Sequence, residues 1–343
     1  MSASDRPLVI SAPEPRTLDL IFTEPQKHRL FKDYDVHETT AEAVGQLPAE
    51  TLNRCRYIVG QPPLSRDLLD RMQNLRCIFN VESNLINNMP YDVLFARGIH
   101  VVTTGAVFAQ PVAEIGLGFA LCLVRGIIDA DLAFREGREL WGGDGNAAAR
   151  LLAGGRIGII GFGDLGRALC GLLAGFRADI VVHDPWLPDS LLHDAGVTPC
   201  GLPELLESSD MVFVVAAVTS ENRGFLNRDA FVRMKPGAGL ILLSRADVVD
   251  FDDLMEAVAS GHIVAASDVF PEEPLPADHP VRTLPGFLRS AHRAGAMDVA
   301  FKQMGDMVLD DMDLIDRDLP PIRCKRAERE TVSRMRSRPV ETN

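Results

Sequence analysis

The sequence predicts an α/β protein built from two doubly wound parallel sheets that are hinged by two long helices. Three observations predict it. Short apolar runs alternate with helical segments along most of the chain. One such run leads directly into Gly161-Phe-Gly-Asp-Leu-Gly166, a dinucleotide-binding fingerprint set between a strand and a helix. The chain has 343 residues, 46% of them hydrophobic, which suffices for two cores. These features give two Rossmann-like/flavodoxin-like domains.

In the first portion, Leu18-Asp-Leu-Ile-Phe22, Tyr57-Ile-Val-Gly60, Arg76-Cys-Ile-Phe-Asn80 and His100-Val-Val-Thr103 read as strands, with a helix over Ser65 to Gln73. A long helix follows from Pro111 to Glu136, with Pro111 in its first turn. A glycine-rich stretch, Trp141-Gly-Gly-Asp-Gly145, precedes the fingerprint strand Arg156-Ile-Gly-Ile-Ile160. Leu165, Leu169, Leu172, Leu173 and Phe176 line one side of the next helix, and Asp179-Ile-Val-Val-His183 forms a second strand. Strands continue at Met211 to Val215, Leu240 to Leu243, Ile263 to Ala266 and Phe287 to Ser290. A last amphipathic helix spans Met297 to Asp316. The two long helices divide the chain into a discontinuous domain, 1–118 with 297–343, and a nucleotide-binding domain, 119–296. The tail from Arg317, with eight basic and four acidic residues, reads as a solvated or partner-packed extension.

A net charge of −13 argues against a nucleic-acid or anionic-membrane surface. The six cysteines show no paired spacing and sit mostly in apolar runs, so they read as reduced core thiols and no metal site is expected. The N-terminus has no charged-then-apolar signal pattern, and Ile115 to Val124, the longest apolar stretch, is too short to cross a bilayer. A soluble, cytoplasmic protein is expected.

Each fingerprint glycine has a physical task. Gly161 permits the tight turn, Gly163 lets the backbone approach a diphosphate, and Gly166 allows close packing of helix on strand. Asp164 and Leu165 complete the loop. Asp164 brings a carboxylate to the anion-binding helix terminus, so weaker cofactor affinity is expected unless it caps the helix and Arg167 offsets its charge. Asp184, eighteen residues beyond Gly166, closes the second strand where a carboxylate accepts the ribose hydroxyls. With no arginine in Pro185-Trp-Leu-Pro188, this favours NAD over NADP.

Downstream, Arg245, Asp268 and His292 follow three strand ends, and Glu273 comes five residues after Asp268. Carboxyl ends of parallel strands are where open α/β sheets place ligands. A guanidinium that grips a carboxylate, an imidazole that moves a proton and a carboxylate that steadies the imidazolium suit hydride transfer to a 2-keto acid.

On these motifs the chain resembles the D-isomer-specific 2-hydroxyacid dehydrogenases, among them phosphoglycerate, glyoxylate/hydroxypyruvate and D-lactate dehydrogenases. The resemblance covers about Asn80 to Gly305. It rests on Pro111-Val-Ala-Glu114, the fingerprint, Thr219 with Gly224-Phe-Leu-Asn227, Met234-Lys-Pro-Gly-Ala238, Ser244-Arg245, Asp268-Val-Phe-Pro-Glu-Glu-Pro-Leu275 and His292-Arg-Ala-Gly295. It implies that Arg245 binds the substrate carboxylate, that His292 is the acid/base with Glu273 as its partner, and that Asp268 contacts the nicotinamide carboxamide. Val215 to Thr219, with Ala216 and Thr219 as candidate contacts, would line the adenosine side. It also implies a homodimer, with Trp141 to Leu152 as an exchanged arm, and two domains that close over the substrate.

The chain departs from the family pattern at Ala217, Ala246 and Ala291, and in the substrate loop Asn80-Val-Glu-Ser-Asn84, where Glu82 stands in a region often glycine. Ser83 and Asn84 are the candidate substrate contacts there, and the loop's polar groups suit a small hydroxylated acid. Glu273 speaks against a formate dehydrogenase, which resembles this pattern with glutamine at that place. An NADH-sensing binding protein, similar to the corepressors of this fold, is the alternative from another class.

Overall fold

The computed structural model describes residues 6–82 and 85–334, so Ser83 and Asn84 lie outside the described residues. The chain forms two compact units, 1–108 with 296–343 and 109–295.

Unit 1 begins with β1 (Leu8–Ala12), α1 (Leu18–Ile21), α2 (Glu24–Asp33) and the edge strand β2 (Asp35–Glu38). It continues through α3 (Ala49–Arg54), β3 (Cys55–Gly60), α4 (Arg66–Asp70), β4 (Cys77–Asn80), α5 (Tyr91–Ala96) and β5 (His100–Thr103). Unit 2 opens with α6 (Ala109–Arg125) and α7 (Ile127–Arg135), then β6 (Arg156–Ile160), α8 (Asp164–Leu173), β7 (Asp179–His183), α9 (Asp189–Asp194) and β8 (Thr198–Pro199). Its second half runs α10 (Leu202–Ser208), β9 (Met211–Val214), α11 (Arg228–Arg233), β10 (Gly239–Leu242), α12 (Phe251–Ala259), β11 (Val264–Ser267) and β12 (Phe287–Arg289). The chain then rejoins unit 1 as α13 (Asp298–Asp316), β13 (Lys325–Arg326) and α14 (Arg329–Val332).

Both sheets are doubly wound: β13-β5-β4-β3-β1-β2 in unit 1 and β12-β11-β10-β9-β6-β7-β8 in unit 2. All pairings are parallel except that of β13 with β5. A parallel sheet must be covered on both faces, and the alternation of side chains along β1 shows how this one is. Val9 joins Tyr57, Phe79 and Val102 in a core roofed by Met304, Val308 and Met312 of α13. Leu8 and Ile10 point the other way, to Ile58, Ile78 and Leu69.

Three expectations are corrected. Leu18–Ile21 of the run Leu18 to Phe22 is helical, because the Thr17 side chain caps it by accepting from Leu20 N, and the strand lies earlier, at Leu8–Ala12. The helix read from Pro111 to Glu136 breaks at Gly126, whose left-handed φ of +60° starts a new helix. The compact units divide at 108/109, since α6 packs on α8 and β10. The tail up to residue 334 is folded onto unit 1. There β13 pairs with β5, and the fully buried Asp311 carboxylate accepts the N–H groups of Ile322, Arg323 and Cys324 at 2.8–2.9 Å.

The continuous helical stretch Gly105–Arg125, 21 residues with a mean hydropathy of 1.8, is long and apolar enough by composition to cross a membrane, more so than Ile115 to Val124 alone suggested. From Ala109 onward it is a core helix of unit 2. A Cβ added at its Gly116 would meet Leu243, Leu169 and Phe213 within 3.5 Å, so α6 lies tightly against the sheet and α8.

Candidate active site

The switch point of the unit 2 sheet falls between β6 and β9, and the fingerprint loop emerges there. Gly161 has φ +92°, and a Cβ on it would stand 2.6 Å from Ala216 Cα. Gly166 meets the Gly161 carbonyl oxygen at 2.5 Å in the same way. The chain's own backbone therefore requires these two glycines. At Gly163, by contrast, an added Cβ would touch nothing within 4 Å, so the room there suits a ligand rather than the fold. Gly163 is also the N-cap of α8 and supplies no capping side chain, which leaves the first N–H groups of this ten-residue helix for an anion.

Asp164 is the first helical residue rather than the cap, and it is exposed. Arg167 lies over the Phe162 ring, 5.0 Å from its centroid. Asp184 takes the Phe162 N–H on Oδ2 (2.7 Å) and the Trp186 N–H on Oδ1 (2.9 Å). Each oxygen retains capacity for a ribose hydroxyl. Behind Ala216, Thr219 is braced by Asn222, which accepts from Thr219 N at 2.8 Å and donates to the Ala217 carbonyl at 2.8 Å. The sequence reading missed Asn222, whose only signal was an Asn three residues past a loop threonine. These residues fit the diphosphate and ribose of a dinucleotide.

The second cluster forms on the strand ends. Arg245 leaves β10 in extended backbone, its Nη1 donating to the Ser244 carbonyl at 2.7 Å. Glu273 accepts from Phe270 N through Oε1 (2.8 Å), and its Oε2 meets His292 Nδ1 at 2.5 Å. Burial opposes ionisation of Glu273. The His292 and Phe270 hydrogen bonds, with the charges of His292 and Arg245, overcome it and hold the carboxyl below its ordinary value. Since Nδ1 is engaged, Nε2 is the nitrogen His292 presents outward, on a side chain 41% exposed.

His292 itself has φ +47°, a left-handed conformation that costs a non-glycine residue about 1–3 kcal/mol. Asp268 holds it there. The Asp268 carbonyl accepts His292 N at 2.7 Å, and its buried carboxylate accepts Arg293 N (3.1 Å), Ala294 N (3.0 Å) and the Ser290 hydroxyl. Asp268 thus braces the turn that carries His292, a task the resemblance did not imply. Ser290, which takes part in it, was not among the sequence candidates.

Comparison with known proteins gives the family. The family model "D-isomer specific 2-hydroxyacid dehydrogenase, NAD binding domain" matches residues 117–294, a little over half of the chain. A glyoxylate reductase of Thermofilum pendens is 31% identical over 251 residues, covering 71% of this chain and 73% of its own. A hydroxypyruvate reductase of Thermotoga maritima is 30% identical over 212 residues, 62% and 67% of the two chains. The crystal structure of a phosphoglycerate oxidoreductase from Rhizobium etli superposes with a TM-score of 0.89 at 68% identity, covering 94% of this chain and 99% of that one. With a nucleotide fingerprint, a matching NAD-binding model and relatives of this kind, the chain belongs to the D-isomer specific 2-hydroxyacid dehydrogenases, as an oxidoreductase that uses NAD(H) to interconvert 2-keto and 2-hydroxy acids.

Proposed function

We propose that the enzyme reduces a small hydroxylated 2-keto acid to the D-2-hydroxy acid, with Arg245 holding the carboxylate, His292 passing a proton from Nε2 and Glu273 fixing the imidazole. The observation that carries this reading is the 2.5 Å contact between His292 Nδ1 and Glu273 Oε2, with the Arg245 charge acting on the same carboxylate. A carboxylate on Nδ1 fixes the orientation of the ring, so that Nε2 faces outward to pass a proton to the carbonyl oxygen as reduction proceeds. Arg245 offers a planar fork that matches a carboxylate and polarises the adjacent ketone. NADH, when bound, would supply the hydride for C2. Gly161, Gly163, Asp164, Leu165, Gly166, Asp184, Ala216 and Thr219 would hold that cofactor. In the opposite direction, neutral His292 takes the hydroxyl proton.

Ser83 and Asn84 are proposed as substrate contacts from the polarity of their loop, and the Thermotoga maritima relative is named for hydroxypyruvate. An NADH-oxidation screen tests the reading. We expect kcat/KM for hydroxypyruvate to exceed that for 2-ketoisocaproate, because an apolar branch leaves buried polar groups unpaired at about 1–3 kcal/mol each. An equal or higher value for the branched acid defeats it. Slow turnover of every acid, with NADH-dependent capture of a protein partner, would favour the binding-protein alternative.

Asp184 is proposed to set cofactor choice. Asp184→Ser with Pro185→Arg should raise the NADPH:NADH ratio of kcat/KM. Both absolute values should fall, since Asp184 also braces Phe162 and Trp186. A wild-type enzyme that already prefers NADPH would show the assignment to be wrong.

We also propose a cytoplasmic homodimer joined through α7 and the following arm. In α7 no residue is buried, and Ile127, Leu132 and Phe134, with Leu140, Trp141 and Leu151 beyond it, are at least 49% exposed. Such a patch in one chain segment is what a second copy covers. All six cysteines are free, as a reducing compartment requires. Sedimentation should give twice the chain mass, and Leu132→Asp should give a single chain.

A further inference from the structure

Two arginines of unit 2 have no part in the mechanism above, yet both act on the segments that meet at Glu273 and His292. The stretch from Pro271 to Asp278, which brings Glu273 to His292, has no helix or strand to hold it. Pro271, Pro274 and Pro276 lack an N–H, and no N–H between residues 271 and 278 donates to a backbone carbonyl among the described residues. Its position is therefore set by side chains.

On the inner side, Phe270 and Leu275 pack against the unit 2 core, with Phe270 edge-on to Phe251 at 5.8 Å between ring centroids. On the outer side stands Arg282, at the end of the single turn Pro280–Arg282. Its Nε donates to the Pro276 carbonyl at 2.7 Å and its Nη2 to the Leu275 carbonyl at 2.5 Å. A planar guanidinium thus clamps two successive carbonyls, the first of them only two residues beyond Glu273.

Arg289 forms a second link. It lies on β12, three residues before His292, and its Nη1 donates to the Arg282 carbonyl at 2.7 Å. Its Nη2 donates to the carbonyls of Leu284, at 2.9 Å, and of Phe287. Both arginines therefore direct charge-assisted bonds at the main chain. The strand that leads to His292 is tied by Arg289 to the turn, and the turn by Arg282 to the stretch that carries Glu273. Glu273 Oε2 and His292 Nδ1 meet at 2.5 Å where this chain of links closes on itself.

We propose that Arg282 is a positioning residue, which together with Arg289 holds Glu273 against His292 from outside the site. This rests on the proton transfer argued above for that pair and adds what sets its geometry. A constellation that must be held to within about half an ångström needs such a brace when one member sits in an irregular stretch. Arg282 is itself exposed and acts through Glu273 alone.

Arg282→Met tests this, because it keeps the methylene stem and removes the clamp. It should lower kcat for the keto acid turned over best by about five- to fifty-fold, with the dissociation constant for NADH within about two-fold of wild type. As Glu273 loses part of its contact with His292, its carboxyl should return toward the ordinary range, so the acidic limb of the reduction profile should move to higher pH. Arg282→Lys should recover part of the rate, since an ammonium can still donate to one of the two carbonyls. In a Glu273→Gln background, Arg282→Met should cost no more than about two-fold further. Losses that multiply in the double variant overturn the proposal, and so does an acidic limb unmoved in Arg282→Met. If that variant does not fold, Arg289→Met breaks the same chain at its other link and should move the limb the same way; an unmoved limb there overturns it as well. The nitrogen NMR shift of His292 Nδ1, identified by its loss in His292→Ala, needs no turnover and should move in Arg282→Met in the direction that it moves in Glu273→Gln. If the wild type reduces no 2-keto acid while this shift follows expectation, the functional reading fails and the positioning role stands.

Discussion

His292→Ala should lower kcat for keto-acid reduction by about two to four orders of magnitude, the range that a positioned general acid supplies. NADH affinity, followed by fluorescence titration, should stay close to that of the wild type, since the fingerprint loop is anchored through Gly161, Ala216 and Asp184 and not through His292. Glu273→Gln separates the pair. A glutamine cannot ionise, so the acidic limb that the Glu273 carboxyl gives the reduction profile should be lost. The wild-type sign follows from the depressed Glu273 carboxyl: its contribution is present above the ordinary carboxylate range and is lost only as pH falls through the lowered value. An unchanged profile in the glutamine variant would separate Glu273 from the proton transfer.

Arg245→Gln should reduce kcat/KM by about thirty-fold to a few thousand-fold, the equivalent of roughly 2–5 kcal/mol for removing one member of a desolvated charge pair. The loss should appear largely in KM for the keto acid. Arg245→Lys should recover only part, because an ammonium keeps the charge but not the planar fork. The Arg245 charge also helps to hold Glu273 ionised, so the glutamine variant should show a small upward shift of the acidic limb. A kcat/KM within ten-fold of wild type would remove Arg245 from the substrate carboxylate.

The legible parts of the chain were those that local pattern determines. Strand Arg156–Ile160, strand Asp179–His183 and strand His100–Thr103 have the boundaries that their apolar runs implied. Where length was short and period ambiguous, the reading failed. Leu18 to Phe22 has the apolar content of a strand, and what makes it a helix is the hydroxyl of Thr17, a capping contact that hydropathy does not register. The polar edge strand Asp35–Glu38 has no apolar signature at all. In the site, the fingerprint glycines could be assigned by spacing, because backbone sterics act within a few residues. Asp268 could not be read fully: its carboxylate works on residues 22 to 26 positions away, on a turn whose left-handed backbone no residue type announced. The Arg16–Glu82 ion pair of unit 1 was likewise invisible, its members being 66 positions apart and joined only by the order of strands in the sheet.

The division of unit 1 between the two ends of the chain imposes an order on its birth. The face of its sheet formed by Val9, Tyr57, Phe79 and Val102 is closed by Met304, Val308 and Met312, which leave the ribosome about 200 residues after Val102. At roughly 5–20 residues per second, that apolar face waits on the order of 10–40 s for its cover. Unit 2 is contiguous and can complete its own core within that interval. During translation, then, the nucleotide-binding half is finished first, while the earlier-made half stays open and exposed to chaperones and to aggregation until α13 arrives.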